Sequence, residues 1–220
     1  VSTAVATGAG TASASITGGP VSESQFEVLA YVNKSVGVVR SKTLVEVTET
    51  ITPDGNGNVQ LTNPDVYEVL EIKDSTSSGA DLTPRYIVDN GQRDNYYAQG
   101  ALNLKGGQTA PAGNVYVKYK HFQHGTAGDF FAVNSYTGQI DYADIQDHTL
   151  ADGTVVNLRN FLDFRPVVNT SGNFDTGSKV NELPKNADLV QADISYYLGK
   201  RVTVIIDTDG EIVVQESAET

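Results

Sequence analysis

Three residue types are missing from this chain. Its 220 residues include no cysteine, no methionine and no tryptophan. The lack of cysteine excludes a disulfide framework, a thiolate metal site and a cysteine nucleophile. Since no methionine is present to initiate translation, the sequence is a processed product, an excised piece or part of a longer polypeptide, and we expect the last of these.

Positive charge and long apolar runs are also scarce. Lysine and arginine number 15 against 27 acidic residues, which gives a net charge of −12. Nucleic acids need a basic face that neutralises phosphate, and anionic lipids attract basic segments. No apolar run approaches the roughly 18 residues that a membrane span requires. The first 20 residues have neither a basic start nor a continuous apolar block, so they do not form a signal peptide. We therefore expect no nucleic-acid partner and no membrane partner.

Short segments of alternating apolar and polar residues dominate what is present. This period of two is typical of β-strands. It predicts a mainly β fold made of antiparallel sandwich or barrel-like modules, with one short helix and long loops. The segments with strand patterning are 25–32, 36–40, 44–51, 59–61, 66–73, 85–88, 101–105, 115–122, 192–198, 201–207 and 212–215.

Turn sequences between these segments predict β-hairpins. The cluster 53–58 would join 44–51 to 59–61, and Gly106-Gly107 would join 101–105 to 115–122. A further tight turn is predicted at Thr137-Gly138, between 130–136 and 139–142, and a further hairpin around 207–210. Within 115–122, alternation predicts one apolar face and one basic face. The apolar face holds Val115, Val117 and Tyr119, and the basic face holds Lys118 and Lys120.

The single helix is predicted near 155–164. Leu158, Phe161 and Leu162 have the i, i+3, i+4 spacing of a helix face, and Pro166 would end it. The whole chain is then expected to have five parts. These are a linker or extended arm at 1–20, an N-terminal β module at 21–80, a central β domain at 81–168, a loop or linker at 169–188 and a C-terminal hairpin segment at 189–220.

Histidines provide the first candidate for metal binding. His121 and His124 lie three residues apart, but on a strand this spacing points the two rings to opposite faces. A zinc site also needs further ligands. His148 is isolated in a polar segment and is expected at the surface. We therefore interpret the histidines as structural.

Aspartates provide two more candidates. Residues 207–211 begin like a calcium loop, but Ile212 stands where the turn glycine is needed and Ala218 where a bidentate glutamate should close the site. Asp141, Asp144 and Asp147 recur every third residue and could bind a hard cation through oxygen. Such aspartates more often hold turns together, so a turn is favoured in both places and no cofactor is expected.

Catalytic patterns are absent from the sequence as well. There is no G-x-S-x-G elbow, no P-loop and no dinucleotide-binding fingerprint. Paired carboxylates for glycoside cleavage remain open, because their separation depends on the fold. We expect no enzyme activity and name no catalytic residue.

Several charged residues near aromatic ones are instead expected to be structural or interfacial. In a helix Arg159 and Asp163 would form an i, i+4 ion pair, and Arg165 could hold a carboxylate with two hydrogen bonds. Arg93 and Asp94 flank Tyr96-Tyr97 and could supply partners for a buried tyrosine hydroxyl.

Four segments carry a resemblance to a known group of proteins. They read DNGQRDNYY (Asp89–Tyr97), GDFFAVNSYTGQIDY (Gly128–Tyr142), LRNFLDFRP (Leu158–Pro166) and YYLGKRVTVIIDTDGE (Tyr196–Glu211). Together they resemble a domain of unknown function found in large structural proteins of tailed bacteriophages, especially contractile-tailed ones. The chain departs from that pattern at Gly199, Lys200 and Val202, where the family usually has proline, arginine and aspartate.

The resemblance implies a virion location and a role in tail, baseplate or fibre-attachment assembly. Its implied partners are other virion proteins and copies of the chain itself, and it implies no catalytic residue. Two alternatives stay open. A carbohydrate-binding adhesion module would need an exposed aromatic platform, and a polysaccharide-degrading enzyme would need paired carboxylates. The platform candidates are Tyr96, Tyr97, Tyr116 and Tyr119, which are also expected to be interface or structural residues in the assembly interpretation.

Overall fold

The computed structural model describes residues 37–169, 171, 189, 201–206 and 208–216. All of them belong to one compact unit, Lys34–Thr220. The described part is mainly β, its named strands pair antiparallel, and it contains no long helix. The predicted fold class is therefore confirmed. The predicted arm at 1–20, the strands at 25–32 and 192–198, and most of the 169–188 loop lie outside the described residues.

The first sheet has the strand order β1-β6-β3. Its strands are β1 (Lys42–Ile51), β3 (Val66–Asp74) and the central β6 (Val115–His124). The register between β1 and β6 runs without a break from Lys42 opposite His124 to Ile51 opposite Val115. The predicted faces of β6 are confirmed: Val115, Val117 and Tyr119 are fully buried, whereas Lys118 and Lys120 lie half-buried on the other side.

The second sheet has the order β2-β5-β4 and packs against the first. Its strands are β2 (Val59–Pro64), β4 (Tyr86–Asp89) and β5 (Gln99–Leu104). Apolar side chains of both sheets meet in one core, as in a β-sandwich. The fully buried members of this sandwich core are Val59, Leu61, Ile72, Leu102, Val115, Val117 and Tyr119.

Two predicted hairpins are wrong, although their turns form. The turn at 53–58 is held by Asp54, whose side chain accepts hydrogen bonds from the backbone N–H groups of Asn56 and Asn58. It nevertheless connects β1 to β2, which belong to opposite sheets, and the segment after Gly106-Gly107 likewise connects β5 to β6. A turn sequence marks a chain reversal, but burial of each strand's apolar face decides which sheet the strand joins.

This interleaving also removes the domain boundary predicted near residue 80. Strands β1 and β3 come from the predicted N-terminal module, yet both pair with β6 of the predicted central domain. The strands of 42–124 therefore form one sandwich. Local composition shifts at 75–80 because a tight turn lies there, with the N–H of Gly79 donating to the carbonyl of Thr76.

Residues 125–168 form a loop-rich layer with little regular structure. Three 3-10 turns (Val133–Tyr136, Tyr142–Asp144 and Leu158–Asn160) accompany the short hairpin β7 (Asp147–Thr149) and β8 (Val155–Asn157). The tight turn predicted at Thr137-Gly138 is confirmed, because the N–H of Gln139 donates to the carbonyl of Tyr136 and Gly138 has a positive φ of 74°, but 3-10 turns rather than strands lie on either side of it. The layer packs on the first sheet through a second apolar core made of Phe122, Val133, Tyr136, Ile145 and Leu158.

The helix predicted at 155–164 is wrong as well. Val155 and Val156 belong to β8, where branched side chains are favoured. The side chain of Asn157 then accepts a hydrogen bond from the N–H of Arg159 and starts a 3-10 turn that ends at Asn160. Leu158 is buried while Phe161 is 43 % exposed, so the three spaced apolar residues do not share one buried face.

The predicted C-terminal hairpin is confirmed. Strands β9 (Val202–Ile206) and β10 (Ile212–Glu216) pair antiparallel, and Gly210 in the turn has a positive φ of 83°. Directly opposite residues point to the same side of a hairpin. One side therefore carries an apolar hairpin face made of Val202, Val204, Ile206, Ile212 and Val214.

A buried ionic cluster as the candidate functional site

Charged side chains concentrate where the loop-rich layer covers the first sheet. Lys42 begins β1 and stands opposite His124, the last residue of β6. Asp65 lies at the corner between β2 and β3, with a positive φ of 53° that is uncommon for a residue other than glycine. The cover comes from Tyr97 and from the segment 163–167, whose backbone bonds to Tyr97. We call Lys42, Asp65, Tyr97, His124, Tyr136, Asp163 and Arg165 the ionic cluster.

Lys42 is the centre of the ionic cluster. Its side chain has no exposed surface, and its ammonium group has an acceptor for each of its three protons. Nζ lies 2.7 Å from Asp65 Oδ2 and 3.1 Å from the hydroxyl oxygens of both Tyr97 and Tyr136. The ammonium also lies 4.8–5.6 Å from the centroids of four aromatic rings, those of Tyr97, Phe122, Phe131 and Tyr136.

Asp65 is as deeply buried as Lys42, and both of its oxygens have partners. His124 Nε2 lies 2.8 Å from Oδ2, the oxygen that also accepts from Lys42. Gln92 Nε2 donates to Oδ1 at 3.0 Å. The backbone carbonyl of Asp65 accepts from the N–H of Phe122, which fixes the corner against β6. This position therefore depends on several bonds that offset its unusual backbone conformation.

A second buried ion pair adjoins the first. Arg165 holds Asp163 with two parallel hydrogen bonds of 2.9 Å, from Nε to Oδ1 and from Nη2 to Oδ2. The hydroxyl of Tyr97 donates to Asp163 Oδ2 and accepts from Arg165 Nη2 at 3.0 Å. Because Tyr97 also accepts from Lys42, its hydroxyl joins the two ion pairs into one network.

The charge state of the cluster follows from its burial and its pairing. Burial alone would lower the pKa of Lys42, but the carboxylate of Asp65 raises that pKa well above its usual value. Burial would raise the pKa of Asp65, yet Lys42 and His124 hold it below its ordinary range. Burial also lowers the pKa of His124 and outweighs the opposing effect of Asp65. The ground state is thus an ammonium–carboxylate pair beside a neutral imidazole.

The neutral imidazole leaves one nitrogen without a partner. Nδ1 of His124 is buried and has no hydrogen-bond partner in the described part of the chain. Its ring lies between Tyr97 and Phe131, with ring centroids 4.8 Å and 4.5 Å away. The prediction that His121 and His124 point to opposite faces fits the alternation along β6: His124 shares its side with Lys42, and His121 contacts Tyr119 on the sandwich side.

Among the predicted charged residues, Arg165 behaves as expected and Arg159 does not. The two-bond clamp predicted for Arg165 is confirmed, with Asp163 as the carboxylate. The pair predicted between Arg159 and Asp163 is wrong, since no helix brings them together. Arg159 lies instead 3.5 Å from Asp147, while its Nε donates to Asn157.

Arg93 and Asp94 do not supply the hydroxyl partner of Tyr97. Arg93 forms a salt bridge of 2.7 Å with Asp89, and only its backbone carbonyl contacts the cluster, through Arg165. Asp94 accepts from the N–H of Ala151. The expectation that arginine and aspartate would satisfy a buried tyrosine is correct in kind, but the residues are Arg165 and Asp163.

The four tyrosines proposed as an aromatic platform do not share a surface. Tyr97 and Tyr119 have no exposed area. The hydroxyl of Tyr119 donates to Glu49 at 2.5 Å and accepts from Asn63 at 2.8 Å. Tyr96 and Tyr116 are half-buried. A glycan platform that includes Tyr97 or Tyr119 is therefore ruled out.

The aspartates weighed for a metal are held in turns and pairs. The carbonyl of Asp141 accepts from the N–H of Asp144, and Asp147 faces Arg159. Asp207 lies outside the described residues. Within the described ranges, no group of three or more histidine, aspartate or glutamate side chains could hold a metal ion. His148, expected at the surface, is buried and lies 3.9 Å from Asp94.

Sequence reasoning missed Lys42, Asp65 and Tyr136. A weak signal exists for Lys42, because it shares its strand face with the apolar Leu44. Asp65 follows proline just before a strand, which indicates a corner but not an ion pair. Tyr136 offers no local signal at all, because a 3-10 turn far along the chain delivers it to Lys42.

Comparison with known proteins finds no relative of this chain. No family model matches it, and neither the curated proteins nor the solved structures yield a match. The described residues also contain no helix that is long and apolar enough to cross a membrane.

Proposed function

We propose that the chain is a structural module of a bacteriophage virion, acting in tail, baseplate or fibre-attachment assembly through protein–protein contacts. The proposal begins from the resemblance of the four segments between Asp89 and Glu211. The observation that carries it in the structure is the apolar hairpin face. Its five aliphatic side chains are between 49 % and 71 % exposed.

The two sides of the C-terminal hairpin differ in a way that favours docking. The opposite side mixes Ile205 and Val213 with the polar Thr203 and Gln215. The apolar hairpin face has valine or isoleucine at five of its six positions, and the sixth is Glu216, opposite Val202 at the open end of the hairpin. A two-stranded hairpin alone is marginally stable in water, and an apolar surface of this kind marks an interaction site. Its occupant is an apolar β surface of another virion protein.

The buried ionic cluster also supports a structural role. Its side chains satisfy one another and bring together β1, the corner at Asp65, the segment at Tyr97 and residues 163–167. Such a network holds irregular loops on a sheet without relying on regular backbone pairing. A module that must keep one shape inside an assembly benefits from such a network, because the network holds the loops in place without a bound ligand.

The test uses a phage that encodes the chain. Val204 and Ile212 on the apolar hairpin face are both changed to lysine, and the matched control places two lysines at Thr203 and Gln215 on the opposite side. Burying each aliphatic side chain contributes about 1.5–3 kcal/mol, so losing two should weaken docking at least 100-fold. We expect the V204K/I212K phage to produce no complete particles, whereas the control produces them normally.

Deletion of the whole domain supplies the second arm of the test. We expect it to stop tail or fibre assembly, as seen by electron microscopy of lysates. If particles assemble normally but lose host binding, the module is a carbohydrate-binding adhesion domain and the assembly proposal is wrong. Particles that assemble and infect normally with V204K/I212K would also overturn it.

A further inference from the structure

The contact between Lys42 and Asp65 brings together two groups that can condense. Nζ and Oδ2 are 2.7 Å apart, and the two side chains are 0 % and 2 % exposed. Both are fixed by several other hydrogen bonds, so neither samples many alternative positions. Holding two reactants at this range raises their effective concentration to about 10⁵–10⁸ M, far above anything that free solution offers.

The surroundings of this contact exclude water. The ammonium lies among four aromatic rings, and the carboxylate side chain of Asp65 is buried as well. Burial away from water penalises both ions, and two buried ions are stabilised only by each other. Conversion to an uncharged amide removes that penalty permanently, and it releases water, which bulk solvent takes up.

Groups that could move protons touch both partners. His124 Nε2 lies 2.8 Å from Asp65 Oδ2, and the imidazole is buried with its other nitrogen unpartnered within the described residues. The hydroxyls of Tyr97 and Tyr136 lie 3.1 Å from Nζ. An imidazole in hydrogen-bond contact with the carboxylate oxygen can relay protons during a reaction of that carboxyl group.

We propose that Lys42 and Asp65 form an intramolecular amide bond between Nζ and Cγ. The first ammonium proton moves to Oδ2 along their hydrogen bond, which frees the nitrogen lone pair to attack Cγ. Nζ then gives its second proton to His124, and His124 delivers that proton to the departing oxygen. The Cγ–Oδ2 bond then breaks, and Oδ2 leaves as water. Nitrogen keeps one proton, and no oxidant, reductant or co-reactant is consumed.

The bond would connect the start of β1 to the corner between β2 and β3, two positions 23 residues apart. A cross-link of this kind stabilises a fold mainly by restricting the unfolded chain. It would do so here without cysteine, of which the chain has none. The inference holds whether or not the chain belongs to a virion.

The mass of the intact 220-residue chain under denaturing conditions tests the proposal. We expect a mass lower than the sequence mass by one water. Trypsin should fail to cut after Lys42 and should yield a branched peptide whose fragments place the link between Lys42 and Asp65. A chain with the full sequence mass, after incubation in its folded state, would overturn the proposal without any variant.

Two variants distinguish a mass loss caused by the cross-link from a mass loss caused by other reactions that release water. Aspartate before glycine can also lose water by forming a succinimide, and such pairs occur at Asp54, Asp152 and Asp209. Lys42→Arg keeps these pairs, so we expect its mass to be unshifted. Asp65→Asn should lose ammonia instead of water. A water loss that persists in K42R would contradict the link.

The role of His124 needs its own measurement. The His124→Gln chain is refolded from denaturant, and the mass shift is followed over time beside that of the wild type. We expect the shift to appear at least ten-fold more slowly, while circular dichroism shows the same refolded sheet. Equal rates in the two chains would overturn the assignment of His124 as the proton relay.

Discussion

The outer side of the first sheet, away from the sandwich core, has two halves that differ sharply although the same strands build them. At one end Lys42 and His124 lie under the loop-rich layer, and the side chain of Lys42 has no exposed area. A few residues along, Lys120 occupies the same side of the sheet and is 33 % exposed in an ion pair with Glu68. The register of the sheet places both lysines on one side, but the covering layer decides whether a lysine there is solvated or buried.

Replacing Lys42 should therefore have the largest effect. Lys42→Met removes the cation and leaves the carboxylate of Asp65 buried with no opposite charge beside it on β1. Breaking a buried pair in this way costs about 3–5 kcal/mol. We expect urea denaturation to show a loss of that size relative to freshly refolded wild type in which Lys42 and Asp65 are still an unlinked ion pair. The double variant Lys42→Met/Asp65→Asn should be more stable than Lys42→Met, and a further loss in the double variant would contradict this account.

Leu102→Ala tests the sandwich core, which holds the sheets together without charge. Leu102 is fully buried between the two sheets, so truncation leaves a cavity and should cost about 2–5 kcal/mol. The same urea denaturation measures it. The exposed Ile87, on the neighbouring strand of the same sheet, is the matched control, and Ile87→Ala should change stability far less. Similar losses in the two variants would mean that the sheets do not pack as described.

Low pH should weaken the contribution of the ionic cluster to stability and leave the contribution of the sandwich core unchanged. Burial would raise the pKa of Asp163, but Arg165, Lys42 and Tyr97 hold it below the ordinary value. A carboxyl group with a depressed folded pKa contributes stability above its unfolded pKa and loses it as pH falls through the folded pKa. We expect the wild type to lose more stability than Asp163→Asn between about pH 6 and about pH 3. Leu102→Ala should follow the wild type, because its lost contacts do not titrate.

The smallest effect is expected from the exposed lysine. Lys120→Met makes the same substitution as Lys42→Met, on the same side of the same sheet, but leaves Glu68 in contact with water. An exposed ion pair contributes about 1 kcal/mol or less, and salt screens it. Urea denaturation at low and high salt should show a small difference that disappears in salt. A loss comparable to that of Lys42→Met would contradict the division of this side into two halves.

The strands were predictable, and their partners were not. The faces of Val117 and Lys118 followed from alternation, and the C-terminal hairpin followed from an Asp-Gly turn between branched residues. The hairpin from 44–51 to 59–61 had an equally good turn at 53–58, yet β1 pairs with β6. Among the described residues, β9 and β10 pair with each other alone, whereas β1 and β2 join two different sheets and bury their apolar faces in the core between them.

The partners of side chains in the ionic cluster were also not predictable from the sequence. Arg165 was expected to hold a carboxylate with two bonds, but that carboxylate was not identified, and Asp163 was expected to pair with Arg159 instead. Lys42 was not singled out, because its partners Asp65, Tyr97 and Tyr136 are 23, 55 and 94 residues away. No pattern of short period connects positions so far apart.

By itself, the sequence determined the properties that depend on neighbouring residues. These are the β character, the side of each strand that is apolar, the positions of the tight turns, the acidic surface and the absence of any thiol chemistry. The tertiary structure alone decided which strands pair, that residues 155–164 bend into a strand and a 3-10 turn, and that Lys42 meets Asp65 away from water. The physical reason is that alternation and turn propensity act over a few residues, whereas burial is shared among segments that only the folded chain brings together.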